Sequence, residues 1–223
     1  MRRLAVTKPS ETAASEQQPD HQHDEYDRDN TSSGTVVTIT IVTATAAATL
    51  LTRAQRHNNR SIMADSEARM RALDLWNEAM RFHMNHDLER AVELYTKSIE
   101  VFPTAEAYTF RGWAFEGMGR IDDAIAECRR AIEIDPAFGN PYNDIGAYLI
   151  AKGELDEAIQ WLEKAKTAPR YDPRHYPFMN LGRIYAAKGM VKRAIDEFEG
   201  ALAFAPGDPT CASALAQLRA LLN

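Results

Sequence analysis

The stretch Asn180–Pro206, "NLGRIYAAKGMVKRAIDEFEGALAFAP", decides how this chain is read. Apolar residues recur in it at helical spacing, and Gly189 breaks the pattern in the middle. A glycine there ends a first helix in the left-handed conformation without a Cβ clash. Pro206 stops the second helix, because proline lacks the backbone donor that a continuing helix needs. Gly182 and Ala194 are small enough for the two helices to approach closely, while Tyr185 and Phe198 fill the space beside that contact. The residues that catch the eye are therefore a packing scheme, and binding residues are to be sought between them.

The scheme appears three more times upstream. Ala91, Ala124, Ala158 and Ala194 recur at intervals of 33, 34 and 36. Ala79, Gly112 and Gly146 take the place of Gly182, and Phe82, Phe115 and Leu149 that of Tyr185. Tyr95, Cys128 and Leu162 stand where Phe198 does; Gly119 and Gly153 match Gly189, and Pro103 and Pro136 match Pro206. A period of this length signals helix pairs stacked into a solenoid.

Two departures carry expectations. The first unit has Asn85-His86 at its turn, and Asn85 is expected to take the left-handed conformation. The third lacks proline at the expected place and runs on as "APRYDPRHYPF", Ala168–Phe178. Pro169, Pro173 and Pro177 predict an extended, stiff loop there, read as an accommodated insertion with a contact role as the alternative.

Phe178, Leu181, Gly182, Tyr185, Ala194, Phe198 and Pro206 together resemble the signature of the tetratricopeptide repeat. The resemblance implies an all-α, right-handed α-solenoid of about four helix–turn–helix units within 63–208, at about 72–104, 105–138, 139–174 and 175–208. After Pro209, "TCASALAQLRALLN" is amphipathic through Leu215, Leu218 and Leu222, and 209–223 reads as a helix capping the open end.

In this family the first helices line a concave groove that holds a peptide or a helix. Projected onto this sequence, the groove residues are Trp76, Asn77, Met80, Trp113, Asn143, Asp144, Tyr176, Asn180 and Arg183, with Leu73, Met84, Glu106, Thr109, Glu116, Asn140 and Met179 beside them. Amide side chains there pair the donor and acceptor of an extended backbone, or else bond a neighbouring helix. The family's chaperone-binding members grip a C-terminal carboxylate with Lys, Asn and Arg. Trp76, Met80, Phe110, Asn140 and Asp144 occupy those positions here, and an ionised Asp144 repels a carboxylate.

The implied function is a non-catalytic scaffold or adaptor binding a protein or peptide partner. Net charge is −6, all of it in 63–223, which speaks against nucleic acid. No phosphate loop, HExxH or GxSxG occurs, so neither an enzyme, a cofactor nor a metal site is expected. His83, Glu106, Glu116 and Asp144 could face one groove as an acid–base grouping, but charged residues on helix faces are usually solvated. Cys128 and Cys211 lie 83 residues apart, with no zinc or redox spacing. Two buried thiols suit a reducing, cytoplasmic location.

Residues 1–62 read as a disordered extension, polar and poor in aromatics. His21, His23 and Asp24 fall in this tail and read as solvated. The uncharged segment 31–52, rich in Thr, Ala and Val, is long enough to span a bilayer, and Arg53, Arg56 and Arg60 follow it. The alternative function is therefore a membrane-tethered assembly factor of the pilus or envelope type, with the solenoid on the cytoplasmic side. A third reading makes 1–62 an upstream extension before a start at Met63. Partner identity and oligomeric state stay open at this level.

Overall fold

A computed structural model describes residues 53–222 as a succession of α-helices. They are α1 (Arg53–Met84), α2 (Leu88–Val101), α3 (Ala105–Gly117), α4 (Ile121–Ile134), α5 (Asn140–Lys152), α6 (Leu155–Thr167), α7 (His175–Ala187), α8 (Val191–Phe204) and α9 (Pro209–Ala220). Consecutive helices pack as antiparallel pairs, α1 with α2 through α7 with α8, and α9 lies on α8. This is an all-α solenoid of four helix pairs and a final helix. Among the described residues no helix is long and apolar enough to cross a membrane, and the 31–52 segment lies outside them.

The small–large scheme closes each pair. Ala91, Ala124, Ala158 and Ala194 are fully buried, as are Tyr95, Cys128 and Leu162, with Phe198 nearly so. A Cβ built on Gly146 would lie 2.5 Å from Leu162 Cγ, so glycine there is a condition of the helix contact. Cys128 is a core hydrophobe, and burial pushes its thiol well above the usual range.

The breaks between helices follow local rules. Gly119, Gly153 and Gly189 all have positive φ, near 77°, 83° and 70°. In the first unit the left-handed residue is His86, with φ 62°, and not Asn85 as the sequence led us to expect. Asn85 N–H still closes on the helix, to the carbonyls of Arg81 and Phe82. Pro103, Pro136 and Pro206 each stand two residues beyond a helix end. Pro169 stands in the same relation to Thr167, so the third unit has its stop after all, at the end of a slightly shorter helix.

The long connection is ordered by packing. Arg170 donates its N–H to the Ala137 carbonyl at 3.0 Å, and the Arg170 carbonyl accepts from Gly139 N–H at 2.9 Å. Tyr171 is buried, and a Cβ on Gly139 would strike it at 2.4 Å. Pro177, expected in the loop, is instead in the first turn of α7, where its missing donor costs nothing.

Two terminal expectations are corrected. α1 begins at Arg53, so residues 53–62, assigned to the disordered extension, are helical. α9 ends at Ala220 and leaves Leu222 exposed; its inward residues are Cys211, Leu215 and Leu218. Asp208 caps α9, accepting from Cys211 N–H at 2.7 Å.

Candidate functional site

The first helices of the four pairs, α1, α3, α5 and α7, are joined along one face by side-chain contacts. The face begins with rings. Trp76 of α1 meets Phe110 of α3 edge-on at 4.9 Å between centroids, and Phe110 meets Trp113 at 4.4 Å. All three rings are partly exposed, and they form the apolar half of the face.

A chain of hydrogen bonds continues from the last ring. Trp113 Nε1 donates to Asp144 Oδ2 at 2.7 Å, linking α3 to α5. Asn143 Nδ2 donates to Asp144 Oδ1 at 3.4 Å. Asn180 Nδ2, on α7, donates to Asn143 Oδ1 at 3.1 Å, and Arg183 Nη1 reaches Asn180 Oδ1 at 3.5 Å. Five of the residues proposed from sequence thus form one connected row across three units. Asn143 and Asn180 are buried and hold each other, the helix-to-helix alternative noted for these amides.

Asp144 is electrostatically unusual. The residue keeps some exposure, but its carboxyl is enclosed, and burial pushes its pKa up to about 7. Hydrogen bonds from Trp113 and Asn143 pull the other way, and the nearby Glu116 adds to the rise. The carboxyl therefore changes charge near neutrality. At the row's far end stand Arg183 and Tyr176, both partly exposed; Tyr176 stacks on His175 at 4.1 Å.

The other candidates divide. Asn77 is exposed and Met80 partly so, both on α1. Thr109 and Met179, expected beside the groove, are buried. Thr109 returns its hydroxyl to the Ala105 carbonyl, and Met179 joins the core. Glu106 is held by Arg170 at 2.7 Å, which takes it out of any acid–base pair with Asp144. Phe110 was read as occupying one of the carboxylate-gripping positions and was not counted among the groove residues. Its place two residues before Gly112, matching Asn77, Asp144 and Asn180, was the signal that it belongs to this face.

Tetratricopeptide repeat models match residues 77–137, and then 140–171 and 177–208, together more than half of the 223-residue chain. The chain belongs to the tetratricopeptide repeat family. It is similar to the small glutamine-rich tetratricopeptide repeat-containing protein 2 of Saccharomyces cerevisiae, 33% identical over 101 residues, covering 45% of this chain and 29% of that protein. It is also similar to a protein SGT1 homologue of Oryza sativa subsp. japonica, 39% identical over 93 residues, covering 41% of this chain and 25% of that one. The chain thus spans less than a third of the length of these curated relatives. Among solved structures it resembles Pseudomonas aeruginosa pilF with a TM-score of 0.63 at 24% identity, covering 69% of this chain and 68% of that one. That likeness is one of fold.

Proposed function

We propose that the face built by α1, α3, α5 and α7 binds a segment of a partner protein, and that the chain is a non-catalytic adaptor. The observation that carries this reading is the continuous row from Trp76 through Phe110, Trp113 and Asp144 to Arg183. It runs from apolar to polar across four units, so one segment laid along it meets a ring cluster first and a cation last. Because neighbouring helices already lock most of the row, little ordering cost falls on the receptor. The relative named for its tetratricopeptide repeats lends the same direction to the reading.

The bound segment is internal to its protein rather than a free C-terminus. The positions that would grip a terminal carboxylate hold Trp76, Met80, Phe110, Asn140 and Asp144, none of them cationic. Asp144, once ionised, repels such a group.

The test is affinity capture by the full chain, compared with Trp113→Ala/Arg183→Ala and with Arg129→Ala, an exposed residue of α4. Partners retained by wild type and Arg129→Ala but lost by the double variant, with unchanged helical circular dichroism, support the reading. Partners lost only with Arg129→Ala move the site off this face. Among captured segments, tightening by C-terminal amidation is expected; a requirement for the free carboxylate overturns the internal-segment assignment.

A further inference from the structure

The N-terminal half of α1 extends past the first helix pair, and its largely polar surface carries Ile62, Met63 and Met70 open to solvent. Apart from partly buried Ala68, every described side chain from Gln55 to Arg71 is exposed. Ile62, Met63, Met70, Leu73 and Met84 are each about half exposed or more, at 56%, 63%, 59%, 49% and 55%. That makes half of the large exposed apolar residues of the described chain lie on this single helix.

Their spacing is not random. Met63, Met70, Asn77 and Met84 recur every seven residues, and Ser66, Leu73 and Met80 sit three residues after the first three. This is a heptad, with a at 63, 70, 77 and 84 and d at 66, 73 and 80. The side of α1 that packs into the solenoid is a different one, carried by Ala72, Leu75, Trp76, Ala79 and Phe82. At about 100° per residue the two stripes lie on roughly opposite sides of the helix. A helix bound along the seam therefore leaves the first pair's own packing intact.

We infer that this seam is a self-association surface: two copies of the chain pair through α1 as a parallel, two-stranded coiled coil over Ile62–Met84, about 33 Å long. Three features choose that occupant and orientation. Asn77 stands at an a position, where in a parallel pair it faces its own copy and the two amides satisfy one another. Antiparallel registers that set it against Leu73 or Met80 bury it unpaired. Arg69 at g and Asp74 at e of the next heptad carry opposite charge, and a parallel pair brings them together twice by symmetry. The antiparallel register that pairs Met70 with Leu73 sets Asn77 against Ser66 and brings Glu67 to Asp74, a like-charge contact. A seam of methionines with only two polar positions is also adaptable enough to close without the exact shapes of Ile or Val. Asn77 and Met80 then belong to the dimer, and the segment-binding row begins at Trp76.

The test uses the full chain in sedimentation equilibrium across micromolar concentrations. The expected species is twice the 25.0 kDa chain mass. Met63→Glu/Met70→Glu, both at exposed positions, is expected to give single chains with unchanged circular dichroism. Arg69→Glu weakens association severalfold, and Arg69→Glu/Asp74→Arg restores it. Met70→Cys cross-links to its own copy on mild oxidation, while the native Cys128 and Cys211 are buried and stay reduced. Single chains at every concentration overturn the proposal, as does a dimer that survives Met63→Glu/Met70→Glu. A dimer broken by those glutamates in which Met70→Cys fails to cross-link overturns the parallel orientation.

Discussion

Trp113 Nε1 and Asp144 Oδ2 are 2.7 Å apart across 31 residues of sequence, a direct hydrogen bond between the first helices of two adjacent units. It places an indole donor on a carboxyl whose pKa lies near 7. In the unfolded chain that carboxyl ionises near 4. Between those values the folded protein holds a proton that the unfolded chain has released. The group's contribution to stability is thus complete below about pH 4 and lost as pH rises through about 7. Asp144→Asn removes this slope while keeping an acceptor for Trp113. In thermal melts, wild type is expected to lose ground to Asp144→Asn between pH 5 and pH 8. A constant gap between the two proteins over that range contradicts the assignment.

Gly146 and Leu162 make a close small–large pair of the repeating scheme, and Gly146→Ala is expected to destabilise by about 1–3 kcal/mol through overpacking. Adding Leu162→Ala removes the clash, so the double variant is less destabilised than the two single losses summed. Urea titrations of the four proteins measure the coupling. Strict additivity would place the contact elsewhere.

His86 is the one non-glycine described at positive φ. Its exposed side chain contributes little packing. His86→Gly is therefore expected to raise stability by about 0.5–1 kcal/mol, the left-handed penalty less the added chain entropy. A shift of the urea midpoint to higher concentration at unchanged slope is the signature.

Arg111 grips Glu127 with two bonds of 2.7 and 2.9 Å and reaches Thr96 Oγ1 at 3.0 Å, joining α2, α3 and α4. Both charged side chains are largely enclosed, at 15% and 13% exposure. Arg111→Ala strands Glu127 and is expected to cost about 2–3 kcal/mol. Arg111→Met/Glu127→Leu removes both charges and is expected to recover most of that loss in the same titration.

The packing scheme could be read from the sequence because it depends on residue size at fixed spacing, and size survives translation into a string. Ala91, Gly146, Leu162 and Phe198 do in the structure what their spacing implied. His86 was missed because the turn was aligned one residue early, on the residue type with the better left-handed propensity. Residues 53–62 were missed because their polar composition resembles the tail before them, and only continuity with the rest of α1 marks them as helix. The face of Trp113, Asp144 and Asn180 was legible from the period, but their partners were not. Asn143 and Asn180 lie 37 residues apart, and nothing local distinguishes an amide that grips a neighbouring helix from one that awaits a ligand.

Arg170 ties Glu106 at 2.7 Å and Asp135 at 2.6 Å, and its guanidinium lies over the Phe138 ring. Solenoids ordinarily connect each unit only to the next, which lets them unravel from an end one unit at a time. Arg170, near the end of the third unit, reaches 64 positions back to the start of the second, still a contact between neighbours. The clasp ties the second and third units along their length through half-exposed ion pairs, so it strengthens that one junction by about 0–1 kcal/mol and weakens as salt screens it. The α1–α2 pair lies outside that clasp and is held to the second unit by Arg111 on Thr96 and by Trp76 on Phe110.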